Sequence, residues 1–160
     1  MRITYEDVQR AAEELAILEQ AIVDLQARIT ALNASILDHE RALEVIDYLS
    51  SNPSELKVLV PIGGGGLVEA EIRFSGRMKV NIGQNVVIEA PVERCREIVS
   101  SRKALIERSR SQLVQTLNAY LERAELLRAF LQRVQEAVAA ARESGEGGAG
   151  ERAHERERRG

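Results

Sequence analysis

The sequence predicts a mainly helical α+β protein, a long antiparallel coiled-coil hairpin whose two helices are joined by two central β-hairpins. Apolar residues recur with heptad spacing in two long segments, and the segment between them is rich in β-branched residues and glycine. Sustained heptad spacing is typical of helices that bury a narrow apolar strip against another helix. Only 3% of the 160 residues are aromatic. Because aromatic side chains supply much of the buried area of compact cores, this composition argues against a conventional globular enzyme.

Residues 1–49 are predicted to form the first coiled-coil helix. Its heptad core positions hold Val8, Ala11, Leu15, Leu18, Ile22, Leu25, Ile29, Leu32, Ile36, His39, Leu43 and Ile46. A polar layer at His39 is expected to set the register of the helix pair. Proline cannot continue a helix, so the sequence Ser50-Ser51-Asn52-Pro53 predicts that the helix ends near Leu49.

Residues 50–91 contain four short segments of alternating apolar residues, which predict four strands in two hairpins. Gly63–Gly66 separate the first two strands and are predicted to form a turn with positive φ angles. A phosphate-binding loop is disfavoured because no GK[ST] motif follows and because the glycines do not lead into a helix. Isolated hairpins with open edges are marginally stable in water. This region is therefore expected to oligomerise by pairing with strands of neighbouring subunits.

Residues 92–142 are predicted to form the second coiled-coil helix, with Pro91 at its start. Its heptad core positions hold Val99, Ile106, Leu113, Leu117, Tyr120, Ala124, Leu127, Leu131, Val134 and Val138. The numbers of facing residues in the two helices add to 142, which predicts antiparallel pairing. The tail, 143–160, is rich in glycine and charge and is predicted to be disordered. A weak electrostatic contact with a partner is the alternative for that tail.

No catalytic, cofactor or metal site is expected. The two histidines, His39 and His154, are far apart in the sequence, so no catalytic triad or histidine metal site can be assembled. The net charge of −3 gives no electrostatic signature of nucleic-acid binding. A single cysteine, Cys95, excludes an internal disulfide and is compatible with a reducing compartment. Without an apolar leader or a membrane-length apolar run, the chain is predicted to be cytoplasmic.

Several apolar residues lie outside the heptad core and predict an interaction surface. They are Ile3, Tyr5, Ile17, Val23, Val114, Leu121, Leu126 and Phe130. Fraying of the helix ends would add Val8, Ala11, Leu131, Val134 and Val138. Clustered exposed apolar groups indicate binding, whereas isolated ones are common on any protein surface.

The chain resembles archaeal-type prefoldin alpha subunits over roughly residues 5–140. The resemblance rests on ERALEVIDYLSSNPSELKVLVPIGGGGLVEAEI at 40–72, on KVNIGQNVVIEAPVERCREIV at 79–99, and on the flanking heptads. Two hairpins match the alpha class, since the beta class has one. The chain departs from the family pattern at Gly66-Leu67 and in its charged tail.

This resemblance implies a non-enzymatic, ATP-independent chaperone that binds non-native proteins and transfers them to a group II chaperonin. It implies a hexamer with prefoldin beta subunits, two alpha to four beta, built on a double β-barrel with six projecting coiled coils. The implied oligomerisation residues are Val58, Val60, Ile62, Val68, Ile72, Val80, Ile82, Val86 and Ile88. The implied client-binding residues are Ile3, Tyr5, Val8, Leu15, Leu126, Phe130, Leu131, Val134 and Val138. The alternative is a coiled-coil scaffold, or a prefoldin-like subunit of an assembly complex, that binds one dedicated folded partner.

Overall fold

The computed structural model describes residues 3–52 and 56–157, with side chains as far as residue 142. Its elements, in chain order, are α1 (Tyr5–Ser51), β1 (Leu56–Gly63), β2 (Gly66–Ile72), β3 (Arg77–Gly83), β4 (Val86–Pro91) and α2 (Val92–Glu157). The predicted order of helix, two hairpins and helix is confirmed. The chain divides into two compact units. Unit 1 combines α1 up to Arg28 with α2 from Leu113 onward, and unit 2 comprises residues 29–112.

In unit 1 the helix segments pack through the predicted heptad positions. Ala11, Ile22, Leu25, Ala124 and Leu127 are all buried. Two ion pairs flank this strip: the carboxylate of Glu14 lies 2.7 Å from Arg123, and that of Glu19 lies 2.7 Å from Arg128. The residue numbers of the first pair add to 137 and those of the second to 147, five below and five above the sum of 142 at the heptad core positions. The two pairs therefore lie on opposite sides of the same antiparallel strip. The predicted antiparallel register is therefore confirmed within this unit.

The helix segments of unit 2 follow the same register. Ile36, Ile46 and Leu49 of α1 are buried. Lys103 contacts Glu40 at 2.9 Å, and Arg96 contacts Asp47 at 2.6 Å. A step of seven residues toward the C-terminus of α1 thus corresponds to a step of seven residues toward the N-terminus of α2, as antiparallel pairing requires.

The end of α1 lies two residues beyond the predicted Leu49. The N–H of Asn52 still donates to the carbonyl of Tyr48 at 2.9 Å. The hydroxyls of Ser50 and Ser51 donate to carbonyls one turn back, at 2.7 and 3.0 Å. The bond from Asn52 satisfies the carbonyl of Tyr48, one of the last four of the helix, which otherwise lack helical partners. The stop signal expected at Pro53 lies outside the described residues.

The strands form two separate antiparallel hairpins, hairpin 1 from β1 and β2 and hairpin 2 from β3 and β4. In hairpin 1 Val60 lies opposite Val68, and in hairpin 2 Val80 lies opposite Ile88. Gly63, Gly64 and Gly65 have φ angles of +96°, +60° and +80°, as predicted, whereas Gly66 has no positive φ and begins β2. The second turn has positive φ at Gln84 and Asn85. Positive φ at both central residues is the type I′ geometry that suits tight hairpins.

Hairpin 2 packs on the start of α2. Ala90, Val92 and Cys95 are buried, and the thiol of Cys95 lies 3.6 Å from the carbonyl oxygen of Met78. The N–H of Val92 donates to the carbonyl of Gly76 at 3.1 Å. Strand β4 ends at Pro91 and α2 begins at Val92, the predicted first residue of the second helix.

The backbone of α2 is helical to Glu157, whereas the sequence predicts a helix end at 142 and disorder through 160. Glutamate, arginine and alanine are good helix formers, and adding a residue to an existing helix is far easier than nucleating one. Contacts of the tail side chains and the structure of 158–160 lie outside the described residues. Within the described part of the chain, no helix is long and apolar enough to cross a membrane.

Candidate functional site

An apolar groove of about 650 Å³ lies within unit 1, where the start of α1 faces several successive turns of α2. Its lining is formed by Ile3, Thr4, Tyr5, Val8, Phe130, Arg133, Val134, Ala137, Val138 and Ala141. Ile3 and Tyr5 are strongly exposed, with 82% of Tyr5 accessible to solvent. The groove is therefore an open surface of apolar side chains, available for binding.

The α1 side of the groove is fixed by a hydrogen-bonded cap. The hydroxyl oxygen of Thr4 accepts the N–H of Asp7 at 3.2 Å, and the N–H of Thr4 donates to the Asp7 carboxylate at 3.0 Å. The Thr4 hydroxyl also donates to that carboxylate at 2.7 Å. This reciprocal arrangement is a capping box, which fixes the entry of the chain into the helix. Hydrogen bonds from Thr4 hold the pKa of Asp7 below its ordinary value of 3.8, because they stabilise the charged carboxylate.

The α2 side of the groove is a stripe at helical spacing. Phe130, Val134, Ala137, Val138 and Ala141 lie three or four residues apart in successive turns and so share one face of the helix. The alanines leave room that larger side chains would occupy. Arg133 is the one cationic lining residue, and its Nε donates to the carbonyl of Ala129 at 3.2 Å.

Six of the nine predicted client-binding residues line this groove. They are Ile3, Tyr5, Val8, Phe130, Val134 and Val138. Leu15 and Leu131 are half-buried at heptad core positions, and Leu126 is 64% exposed but outside the groove lining. Among the other apolar residues outside the heptad core, Ile17 and Val23 are exposed, whereas Val114 and Leu121 are half-buried.

Sequence reasoning missed four lining residues: Thr4, Arg133, Ala137 and Ala141. Helical spacing counted from Phe130 and Val134 could have found the two alanines. Thr4 could have been found from its position three residues before Asp7, a capping-box spacing. Arg133 carried no signal in the sequence, because a charged residue on a coiled-coil helix is usually an ordinary surface residue.

The hairpins present a second apolar surface. Strand register places Val58, Val60, Val68 and Ile72 on one face of hairpin 1, which is called its inner face here. In hairpin 2 Val80 and Ile88 share a face. Among the nine predicted oligomerisation residues, the exposed ones are Val60, Ile62, Val68, Ile82 and Val86, and the half-buried ones are Val58, Ile72, Val80 and Ile88.

Hairpin 1 also has apolar residues on its other face, which sequence reasoning did not single out. This outer face carries Leu59, Pro61 and Leu67 together with Lys57, Glu69 and Glu71. Both leucines are strongly exposed, at 61% and 59%. The outer face of hairpin 1 thus combines exposed leucines with charged side chains.

The polar layer predicted at His39 has a hydrogen-bonded histidine, and the next residue of α1, Glu40, forms an ion pair with α2. Nδ1 of His39 lies 2.7 Å from the carbonyl oxygen of Ser35. Lys103 contacts Glu40 at 2.9 Å and Glu107 at 3.5 Å. Hydrogen bonding to Glu40 is the largest factor that raises the pKa of Lys103. Among the described residues no group of three or more histidine, cysteine, aspartate or glutamate side chains is placed to hold a metal ion.

The family is decided by a comparison with known proteins. The model of the prefoldin subunit family matches residues 18–137, which is more than half of the chain. This chain belongs to the prefoldin subunit family. Prefoldin subunits are non-enzymatic chaperone subunits, in agreement with the absence of a catalytic motif from the sequence.

Curated relatives of this prefoldin chain are archaeal prefoldin alpha subunits. The chain is 28% identical to the alpha subunit of Archaeoglobus fulgidus over 134 residues, covering 84% of this chain and 93% of the relative. It is 29% identical to that of Thermofilum pendens over 109 residues, covering 66% and 84%. The resemblance to archaeal alpha subunits is thereby confirmed.

A solved structure shares the fold of this prefoldin chain. The cryo-EM structure of filamentous PFD from Methanocaldococcus jannaschii matches with a TM-score of 0.62 at 24% sequence identity. The match covers 74% of this chain and 98% of the other. The predicted mainly helical fold with two central β-hairpins is confirmed as the prefoldin fold.

Proposed function

We propose that this chain is the alpha-type subunit of a cytoplasmic prefoldin hexamer that holds non-native polypeptides without ATP and passes them to a group II chaperonin. The observation that carries the proposal is the apolar groove of unit 1. It brings together six residues whose side chains offer apolar contact and almost no fixed hydrogen-bonding pattern. Such a surface suits partners that share exposed hydrophobicity and differ in sequence.

The open shape of the groove favours weak and sequence-tolerant binding. A single groove of about 650 Å³ contacts only a short piece of a client. Several subunits around one client would raise the effective local concentration of binding sites, so that overall affinity exceeds that of each groove. Exchange at individual grooves would stay fast, which suits transfer of the client to a chaperonin.

The exposed hairpin residues support assembly with prefoldin beta subunits. Val60 and Val68 lie opposite each other on the inner face of hairpin 1 and are exposed in this chain, as are Ile82 and Val86 in hairpin 2. Two-stranded sheets with open edges gain stability when strands of another chain complete them. A double β-barrel of two alpha and four beta subunits would cover these residues.

The test of client binding compares side-chain truncations inside and outside the groove of unit 1. Phe130→Ala combined with Val138→Ala removes groove contacts, and we expect suppression of aggregation of two unrelated denatured proteins to weaken several-fold. Ile17→Ala is the control, since Ile17 is exposed in the same unit and outside the groove. Leu126→Ala, made separately, measures whether the binding surface extends beyond the groove. Each variant is assayed as the assembled hexamer with a beta-type subunit.

Three outcomes would contradict the proposal. Unchanged suppression by the Phe130 and Val138 variant would show that clients bind elsewhere. Loss of the hexamer in that variant would show that these residues serve assembly. Binding of one folded protein at fixed stoichiometry, with no protection of unrelated clients, would favour the scaffold function.

A further inference from the structure

We propose that the groove of unit 1 selects among apolar segments by charge, and that Arg133 makes it prefer segments with a carboxylate beside their apolar side chains. This preference rests on the proposed client binding by the groove, and it specifies the chemical class of client that binds best. Among the described lining residues Arg133 is the one ionised side chain. An occupant of the groove therefore meets a single fixed charge, and that charge is positive.

The guanidinium of Arg133 has donors that its own chain does not use. Its Nε donates to the carbonyl of Ala129 at 3.2 Å, and a guanidinium has further N–H groups on its two terminal nitrogens. These terminal groups make no hydrogen bond or ion pair with the described residues. Because two parallel N–H groups match the two oxygens of a carboxylate, this edge of the guanidinium suits a carboxylate partner.

The helical neighbours of Arg133 do not supply that carboxylate. Positions one turn away on either side hold Ala129 and Ala137, which carry no charge. Glu136 lies three residues further along α2, but its carboxylate accepts the Nε2 of Gln132 at 2.9 Å. Within the described part of the chain, Glu136 forms no ion pair with Arg133.

The carboxylates at the start of α1 are bound to other groups. Asp7 accepts the N–H and the hydroxyl of Thr4 at 3.0 and 2.7 Å. Glu6 lies 3.6 Å from Arg10. No described residue of α1 forms an ion pair with Arg133. The groove therefore complements an occupant that brings its own carboxylate.

Pairing matters because client binding removes water from the groove. When the apolar side chains of a client enter, neighbouring charged groups lose hydration, which costs free energy unless they find a partner. A carboxylate finds Arg133, whereas an ammonium group meets a like charge. Since Arg133 is exposed, water and salt screen the ion pair. The preference should therefore be modest, roughly two- to fivefold in affinity.

The experiment titrates the full chain with short apolar peptides that have blocked ends and differ only at a central glutamate, glutamine or lysine. Methyl NMR signals of Val134 and Val138 report occupancy of the groove. The signal of Val23, which is exposed in the same unit and outside the groove, is the reference. We expect the glutamate peptide to bind roughly two- to fivefold more tightly than the glutamine peptide, and the lysine peptide to bind most weakly. Added salt should bring the three affinities together.

Substitutions of Arg133 test whether this side chain causes the ranking. Arg133→Gln should remove the difference between the glutamate and lysine peptides, and Arg133→Glu should reverse it. Arg133→Lys keeps the charge and should keep the ranking. Arg28→Gln is the matched control, because Arg28 is exposed in the same unit and outside the groove. It should rank the peptides as the unaltered chain does.

The outcomes separate this preference from the proposed function. Equal affinities for the three peptides would overturn the preference, while shifts at Val134 and Val138 would still support client binding by the groove. A ranking that persists in Arg133→Gln would assign it to another cation, such as Arg142 at the end of the described side chains, and would also overturn it. If no peptide shifts the two valine signals, the groove does not bind apolar segments, and the proposed function fails as well.

Discussion

At the scale of single residues, small side chains at heptad positions decide how closely the helices of unit 1 approach. Ala124 is completely buried and Ala11 nearly so. In the predicted register Ala124 faces Leu18, and Ala11 faces Leu131. Each alanine therefore accommodates a larger residue of the opposite helix. Interiors are packed densely enough that one added methylene at such a position disturbs the neighbours.

Ala124→Leu is accordingly expected to destabilise unit 1. Overpacking of a filled interior costs about 1–3 kcal/mol, which should appear as a lower unfolding temperature. Ala119→Leu is the matched control, because Ala119 is exposed on the same helix and should tolerate the larger side chain. Equal unfolding temperatures for the two variants would contradict the tight packing inferred around Ala124.

The cap at Thr4 and Asp7 predicts a pH effect at the start of α1. The pKa of Asp7 is lowered in the folded chain by hydrogen bonds from Thr4. A lowered folded pKa contributes stability above the unfolded pKa, and this contribution is lost as the pH falls through the folded value. An NMR titration should give Asp7 a pKa below 3.8, with amide exchange in the first turn accelerating at lower pH.

Substitution of Thr4 tests the cause of that shift. Thr4→Ala should return the pKa of Asp7 toward 3.8 and accelerate exchange at the start of α1 at neutral pH. Thr4→Ser retains the hydroxyl and should preserve both properties. An unshifted Asp7 in the unaltered chain, or an unchanged shift in the alanine variant, would show that the Thr4 hydroxyl does not hold this cap.

At the scale of elements, packing of the heptad strip contributes most of the stability of the helix pair, and the ion pairs mainly fix its register. The ion pairs of Glu14 with Arg123 and of Asp47 with Arg96 are solvent-exposed, and exposed ion pairs contribute little stability. The same pairs lower the pKa of both carboxyls through hydrogen bonding. Their position on either side of the strip excludes a register shifted by one heptad, which would separate the charges.

The turn of hairpin 1 depends on glycine because its backbone has positive φ. Gly64 has a φ of +60° and open space around the position of a Cβ atom. Gly64→Val should therefore loosen the hairpin through backbone strain alone, since β-branched residues rarely adopt this conformation. Faster amide exchange in β1 and β2 would report it. Gly64→Asn is the control because asparagine tolerates positive φ, and equal exchange in both variants would contradict the assigned strain.

At the scale of the whole molecule, the described chain leaves apolar hairpin residues exposed, and their burial requires other subunits. Ile82→Asp places a charge on a surface that the proposed barrel would bury. We expect native mass spectrometry to show no hexamer when this variant is mixed with a beta-type prefoldin subunit. Val87→Asp is the matched control, since Val87 is exposed and pairs with Asn81 on the other face of hairpin 2. An intact hexamer with Ile82→Asp would reject the barrel assignment of that residue.

Part of the candidate site was predictable because helical spacing alone assigns residues to faces. Phe130, Val134 and Val138 follow from the heptad pattern and its neighbours. The contribution of Ala137 and Ala141 was not predictable, because an alanine matters there only through the space that it leaves beside α1.

The sequence by itself determined the helix–hairpin–hairpin–helix order, the antiparallel register and the positive-φ glycine turn of hairpin 1. These features depend on local periodicity and on the backbone preferences of single residues, which are properties of the chain alone. The tertiary structure decided where α1 ends, how far α2 continues, and which apolar residues outside the heptad core meet in a groove. The groove depends on close approach of α1 and α2, which are far apart in sequence, and no local pattern records it. The two helix ends depend on hydrogen bonds one turn back in α1 and on propagation of α2.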